Sequence, residues 1–322
     1  MSEATHPAAR VLRRLSQDPW AWASMLWLLL AVGVAIAGGR LGTDSSPDAD
    51  RQWLSKRLLA PGSQVEAIQN LSLDQGLEAS YAWEPADERE NTGGERASRS
   101  FTFVLGTDAL GRDFLSRLSL GARISLGIGW MSVLVALCTG LLVGSLAGWF
   151  GGWTDRMLSF LTNLTWSIPT LLMVMSITLV LGKGLFPVFL AVGLSTWVEI
   201  ARITRAEIRS LAQLDYVMAG RSLGFSNTRL LIKHMLPALT GPLLVASTAN
   251  FAGAILIESG LSFLGLGVQP PTPTWGSMIE AHRHYLLSGN AHLVWLPGLA
   301  IVTVVLAFNL LGNSLKTALK EA

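Results

Sequence analysis

Residues 215–237 read DYVMAGRSLGFSNTRLLIKHMLP. The stretch is basic, helix-forming and broken by glycine, and it lies between two long apolar runs. A connection between neighbouring helices needs only about 2–8 residues, so the length and patterning of this one ask for a role. Asp215–Leu223 predicts a short helix, with Gly224 free to take the left-handed conformation beyond its end. Ser226 or Asn227 can cap a second helix that runs through TRLLIKHMLP towards the next apolar run. The chain thus leaves a membrane, lays a short helix across its surface, turns at Gly224 and returns. A stiff protrusion of this kind suits transmission of force. A helix resting on lipid headgroups is the alternative that pattern alone leaves open.

Half of the 322 residues are hydrophobic and 14% are charged, against about a quarter charged in soluble domains. The mean hydropathy is +0.44. The apolar residues come in blocks, as in a polytopic membrane protein. A net charge of +2 without a long basic tract argues against nucleic acid as a partner. The single cysteine, Cys138, lies in an apolar run. It excludes an internal disulfide and a thiolate metal cluster and is read as a packing residue.

Six segments are long enough to cross a bilayer: Trp20–Gly38, Ile124–Trp149, Met157–Leu181, Leu185–Ile200, Leu236–Ile257 and Leu293–Leu315. The fourth is short. Ser259–Ile279 is free of charge but carries three prolines, so it is expected as a folded segment packed on the bundle and not as a seventh span. Arg10, Arg13, Arg14, Arg156, Arg202, Arg205, Arg209, Arg221, Arg229, Lys233, Lys316 and Lys320 all fall on one side if both termini are cytoplasmic. The first span is longer than the ~7–15-residue core of a secretory signal, so a retained anchor is expected. Arg40–Arg117 then lies outside, and its acidic part, WEPADERENTGGERASRS, reads as a solvated insertion.

Gly140, Gly144, Gly148 and Gly152 recur every four residues in the second span and predict one close-packing helix face. Pro169 predicts a kink in the third. Chemistry is harder to find. No GxxxxGK[ST], HExxH or GxSxG occurs, so the nucleotide, zinc-protease and serine-hydrolase readings have no support. Spans two, three and six have no Asp, Glu, Lys or Arg in their interiors, where proton-coupled carriers place ionisable groups. Glu199 and Glu258 are expected at solvated helix ends. In EAHRHY, Glu280, His282 and His284, with His292 nearby, would offer two imidazoles on one face of an extended strand. Two imidazoles make a poor metal site, and the segment is taken as a solvated loop with no metal and no cofactor.

AGRSLGFSNTRLLIKHMLP resembles the EAA loop of permease subunits of bacterial ATP-binding-cassette importers. Met218, Ala219 and Gly220 take the EAA positions, Gly224 the glycine, and Ile232, Leu236 and Pro237 the end, with His234 between them. Met218 stands where that pattern has its glutamate. LGTDALGRDFLSRLSLGARISLGIG, with Gly106, Thr107, Asp108, Gly111, Arg112 and Asp113, is similar to the start of the transport core in the dipeptide, oligopeptide and nickel permeases, of the second-permease type. ESGLSFLGLGVQPPTPTWGSM and AFNLLGNSLKTAL resemble later segments of the same family, with Asn313 where an acidic residue is usual.

The resemblance implies an all-α membrane protein of six transmembrane helices with the type I importer permease fold and a cytoplasmic coupling helix. It divides the chain into a cytoplasmic segment (1–19), a first helix (20–38), an external loop with the acidic insertion (39–120), a five-helix core (121–315) whose coupling loop is 202–236, and a cytoplasmic tail (316–322). The implied partners are a second homologous permease, two cytoplasmic ATP-binding subunits, an extracytoplasmic substrate-binding protein and the bilayer of the bacterial inner membrane. The implied function is ATP-driven import of di- or oligopeptides without an ATPase site of its own. Import of nickel chelates by the same machinery, a self-contained secondary carrier and an intramembrane enzyme are the alternatives.

Overall fold

The computed structural model describes residues 11–320 apart from 12, 45, 47, 70–82 and 87–97. Arg10 and most of the acidic insertion therefore lie outside the described residues. The helices are α1 (Pro19–Ala37), α2 (Phe114–Phe150), α3 (Gly152–Ser167), α4 (Thr170–Leu181), α5 (Leu185–Leu211), α6 (Asp215–Ser222), α7 (Asn227–Leu230), α8 (Leu236–Ala238), α9 (Thr240–Phe263), α10 (Trp275–His282) and α11 (His292–Lys320). Strands β1 (Ser63–Gln69), β2 (Trp83–Pro85) and β3 (Ser98–Phe103) lie between α1 and α2. Among the described residues five helices are long and apolar enough to cross a membrane, with α1 extended to Leu41, and α3 with α4, bent by 94° at their break, makes a sixth if the pair is one span.

The five helices and this bent pair coincide in position with the six segments expected from the sequence, with three differences beyond shifted ends such as the earlier start of α2 and the later end of α11. The span expected to end at Ile200 runs on as α5 to Leu211, because its charged last turns continue the helix past the apolar stretch. Pro169 ends a helix where a kink was expected. Ile168 and Pro169 both have extended backbone (ψ 127 and 126), since proline lacks the N–H and pushes the residue before it out of the helical region. Leu236–Ala238 is a separate short turn ahead of α9.

The chain divides into two compact units. One comprises Met1–Leu28, Ile128–Leu261 and Thr303–Ala322. Its α2 and α5 meet through the glycine face. A Cβ on Gly140 would stand 2.6 Å from Ile200 Cβ, one on Gly144 2.5 Å from the Ala201 carbonyl oxygen, and one on Gly148 2.9 Å from that of Arg205. Gly152 departs from this row: it begins α3 with φ +54 and open space around it. Cys138 points outward and is exposed, so it is not a packing residue of this chain. Glu199 is exposed inside α5 instead of at a helix end, and Glu258 is fully buried within α9 instead of solvated.

The other unit comprises Leu29–Gly127 and Ser262–Val302. Its three strands form an antiparallel sheet of order β2-β1-β3, with Ala67 opposite Pro85 and Val65 opposite Phe101. Val65, Ala67, Phe101 and Phe103 alternate inward and pack on Trp53. The Trp53 ring meets Phe101 and Phe103 edge-on at 5.4 and 5.8 Å, and the Arg51 guanidinium lies 4.8 Å from its centroid. The described parts of the insertion thus carry a small core of their own.

Candidate coupling surface

The 215–237 stretch belongs to the first unit, and its inner face decides its shape. Val217 and Gly220, three residues apart on α6, are buried, as are Leu230 and Met235 beyond the turn. Val217, Leu230 and Met235 join Trp149 from the end of α2 and Ile208 from α5 in one apolar cluster. Arg221 stacks its guanidinium 4.3 Å from the centroid of Trp149.

The turn is closed by backbone bonds. Phe225 N–H donates to the Gly220 carbonyl at 3.0 Å and Gly224 N–H to that of Arg221 at 3.0 Å, the two bonds of a Schellman ending. Gly224 has φ +78, which a side-chain-bearing residue adopts only with strain. Of the two capping candidates the structure uses Ser226, whose hydroxyl accepts from Arg229 N–H at 3.3 Å. Phe225 folds back so that a Cβ on Gly220 would meet its ring at 3.3 Å and Leu230 Cδ2 at 2.8 Å. His234 stacks on Phe225 at 6.3 Å and Arg229 lies 4.0 Å over the same ring.

Leu231–Met235 is a π-turn in which Leu236 N–H reaches back to the Leu231 carbonyl. Pro237, which has no N–H to give, follows at the first turn of α8. The outer face is left uncovered: Tyr216, Met218, Ala219, Ile232 and Pro237 are exposed, and Leu223 is 75% exposed. Leu236 is half-buried. Met218 itself offers an apolar side chain on this face and no charge. The neighbouring α3–α5 corner is tied by Asp155, which accepts from Arg205 Nε and, at 2.8 Å, from Nη2, with Arg209 at 3.5 Å. The sequence reading missed this pair. Its signal was a carboxylate and two arginines at facing ends of two apolar runs.

In the second unit the Gly106–Asp113 motif forms a tight buried knot. Gly106 and Gly111 take φ +76 and +74, and a Cβ on either would run into the backbone of Leu59 or Trp53. The Thr107 hydroxyl donates to the Lys56 carbonyl at 2.6 Å and accepts from Leu59 N–H at 2.9 Å. Asp113 accepts from Thr43 N–H and Ser116 Oγ, both at 2.6 Å. Asp108 accepts from Leu110 N–H at 2.8 Å and from Arg112 Nε at 2.6 Å, while Arg112 Nη1 reaches Asp50 at 2.9 Å. Arg117, which sequence reasoning passed over, donates to the carbonyls of Asp48, Ala49 and Pro271.

His282 completes the group and corrects the solvated-loop expectation. It ends a helix and is 2% exposed, whereas His284 is exposed, so the two imidazoles share no face. A carbonyl only accepts, so His282 Nδ1 carries the proton it donates to Met278 O at 2.7 Å. Its Nε2 then stands 4.0 Å from Asp108. Burial holds this imidazole below the usual histidine range, outweighing the Met278 bond and the Asp108 charge that push the other way.

With this geometry established, comparisons with known proteins place the chain. Residues 140–321 match the family model described as "Binding-protein-dependent transport system inner membrane component". The chain is 43% identical over 217 residues to the di/tripeptide transport system permease protein DppC of Pseudomonas aeruginosa, covering 67% of this chain and 71% of that protein. It is 38% identical over 214 residues to the oligopeptide permease protein OppC of Bacillus subtilis (66% and 70% covered). It is 39% identical over 212 residues to the nickel permease protein NikC of Escherichia coli K12 (66% and 76%). Among solved structures, a chain of the inward-facing MetNI methionine ABC transporter superposes with a TM-score of 0.51 at 19% identity, covering 62% of this chain and 95% of that one, which shows a shared fold. The chain belongs to the family of binding-protein-dependent transport system inner membrane components, the permease subunits of ABC importers.

Proposed function

We propose that this permease imports di- or oligopeptides across the bacterial inner membrane, with both termini cytoplasmic, and that α6 is its coupling helix for separate ATPase subunits. The observation that carries the coupling role is the contrast between the two faces of α6. Val217 packs into the cluster that holds Trp149 of α2 and Ile208 of α5, while Met218 on the helix and Leu223 at its end are exposed. A push on such an element is transmitted to the spans and not absorbed by bending. Binding of ATP by the partners supplies the differential stabilisation of two states that alternating access requires. A second permease would complete the pathway, and an external binding protein would deliver the solute. The family motif Gly106–Asp113 serves in this reading as a rigid buried support on the outer side.

The peptide assignment follows the names of the relatives, among which a nickel permease also stands. Purification in mild detergent and identification of what travels with the chain tests the whole reading. Recovery of a second permease and ATPases, with uptake of labelled dipeptide that stops when the ATPase is inactivated, is the expected result. Uptake of nickel but not dipeptide would replace the substrate. Uptake that follows an ion gradient without any ATPase would replace the mechanism.

A further inference from the structure

A cavity of about 230 Å³ lies between α2, α3 and α5, and its polar lining is Ser159, Thr162, Asn163, Arg202 and Arg205. Three of these side chains are already engaged with the protein. Arg205 holds Asp155, the Ser159 hydroxyl donates to the same carboxylate at 3.2 Å, and the Thr162 hydroxyl donates to the Leu158 carbonyl at 2.7 Å. Arg202 and Asn163 differ. Among the described residues neither has a hydrogen-bond acceptor or a charged partner, and both are exposed. The Arg202 guanidinium lies 4.3 Å from the centroid of the exposed Trp166 indole. Stacking occupies a face of the planar group and leaves its in-plane N–H donors for an oxyanion.

Depth identifies the source of that oxyanion. The 27 residues of α5 make a rod of about 40 Å, longer than the ~30 Å hydrocarbon core, which takes about 20 helical residues. Counted from Leu185, that core ends near Thr204, so Arg202 and Arg205 bracket the level at which headgroups begin. Tryptophan gathers at the same level, and the exposed flank of α3 beside the cavity is apolar at Phe160, Leu164 and Trp166.

We propose that this cavity binds the phosphate of an anionic phospholipid, with Arg202 and Asn163 as donors and Arg205 as a second cation shared with Asp155. The lipid seats its acyl chains along α3 and its headgroup against α5. The site is independent of the coupling role of α6 and of the nature of the transported solute.

Native mass spectrometry of the full chain, purified from membranes with whatever subunits accompany it, tests the site. Phosphatidylglycerol, diacylglycerol, inorganic phosphate and dialanine serve as probes. The wild type should retain phosphatidylglycerol but not diacylglycerol, and Arg202→Gln should weaken that retention roughly tenfold, the effect of losing a charge-assisted hydrogen bond. Asn163→Leu, which removes no side-chain hydrogen bond among the described residues, should weaken it in the same direction and decides the matter if Arg202→Gln fails to fold. Equal retention by wild type and both variants overturns the proposal. Displacement of the lipid by millimolar inorganic phosphate would make the site one for a free anion. Displacement by dialanine would make it part of the solute pathway. Either result also overturns the lipid assignment.

Discussion

Gly144 and Gly127 sit on one helix, α2, in opposite surroundings. A Cβ on Gly144 meets the Ala201 carbonyl oxygen at 2.5 Å and Thr204 Cβ at 2.7 Å, while one on Gly127 meets nothing within 4 Å. Gly144→Ala should therefore force α2 and α5 apart and cost about 1–3 kcal/mol. Gly127→Ala should be neutral or stabilise by up to ~1 kcal/mol through helix propensity. Thermal midpoints of the two purified variants in one detergent give the comparison. Gly224 is a third case, with open space but φ +78. Gly224→Val should strain the turn by roughly 1–2 kcal/mol, lower uptake and weaken ATPase association, and leave membrane insertion intact. Normal transport by this variant would remove the coupling role from α6. His282 makes the fourth prediction. Its folded pKa lies below the unfolded value of about 6.5, so the unfolded chain binds the extra proton and stability falls as pH drops through that value. The melting midpoint should decline on going from pH 7 to pH 5, and His282→Gln should flatten that decline.

At the scale of elements, the coupling stretch was legible because its signals are local. The helix end, the glycine with positive φ, the serine cap and the proline all lie within one short run and act on their own neighbours. The sheet was not legible. β1 shows Val65 and Ala67 alternating with Gln64 and Glu66, but its partners β2 and β3 are short and separated from it by polar sequence, and the pairing that makes them strands is non-local. Trp53 is the hub of that sheet's core, so Trp53→Ala should cost about 3–5 kcal/mol. Limited proteolysis should then cut within Ser63–Gln69 or Ser98–Phe103 at protease levels those strands resist in the wild type, with the helical circular dichroism unchanged. Cleavage no faster than in the wild type would mean that the strands are held by something other than this aromatic cluster. The α3–α4 break was legible in position and not in size. A proline marks where a helix is interrupted, but the angle is set by the packing on either side.

At the scale of the whole molecule, the positions of the candidate spans followed from apolar length alone, and the segment resemblances led to the family that the comparisons establish. What the sequence could not disclose were the charged partnerships: Asp155 with Arg205, 50 positions apart, and Asp50 with Arg112, 62 apart. A single chain gives no sign of which carboxylate meets which arginine until the fold brings them together. The proposed orientation is open to a direct check that uses the lone cysteine. In a Cys138→Ser background, Leu223→Cys should react with a membrane-impermeant maleimide in inside-out vesicles and not in right-side-out ones. The reaction should slow when the ATPase subunits are bound. Labelling from the opposite side would invert the topology.

The π-turn at Leu231–Met235 holds one residue more than an α-helical turn would between the same two bonds. Each residue advances a helix by about 100°, so α7 and α9 are out of phase by that angle across the turn. A helical wheel drawn straight through it assigns the faces of α9 wrongly relative to α7. The same surplus makes this a place where the chain can lose a residue and relax into an ordinary helix. Deleting Lys233, which is exposed, would rotate everything before it about the axis of α9 without breaking the backbone bonding. The extra residue is thus a phase offset between α7 and the helical turns that follow it.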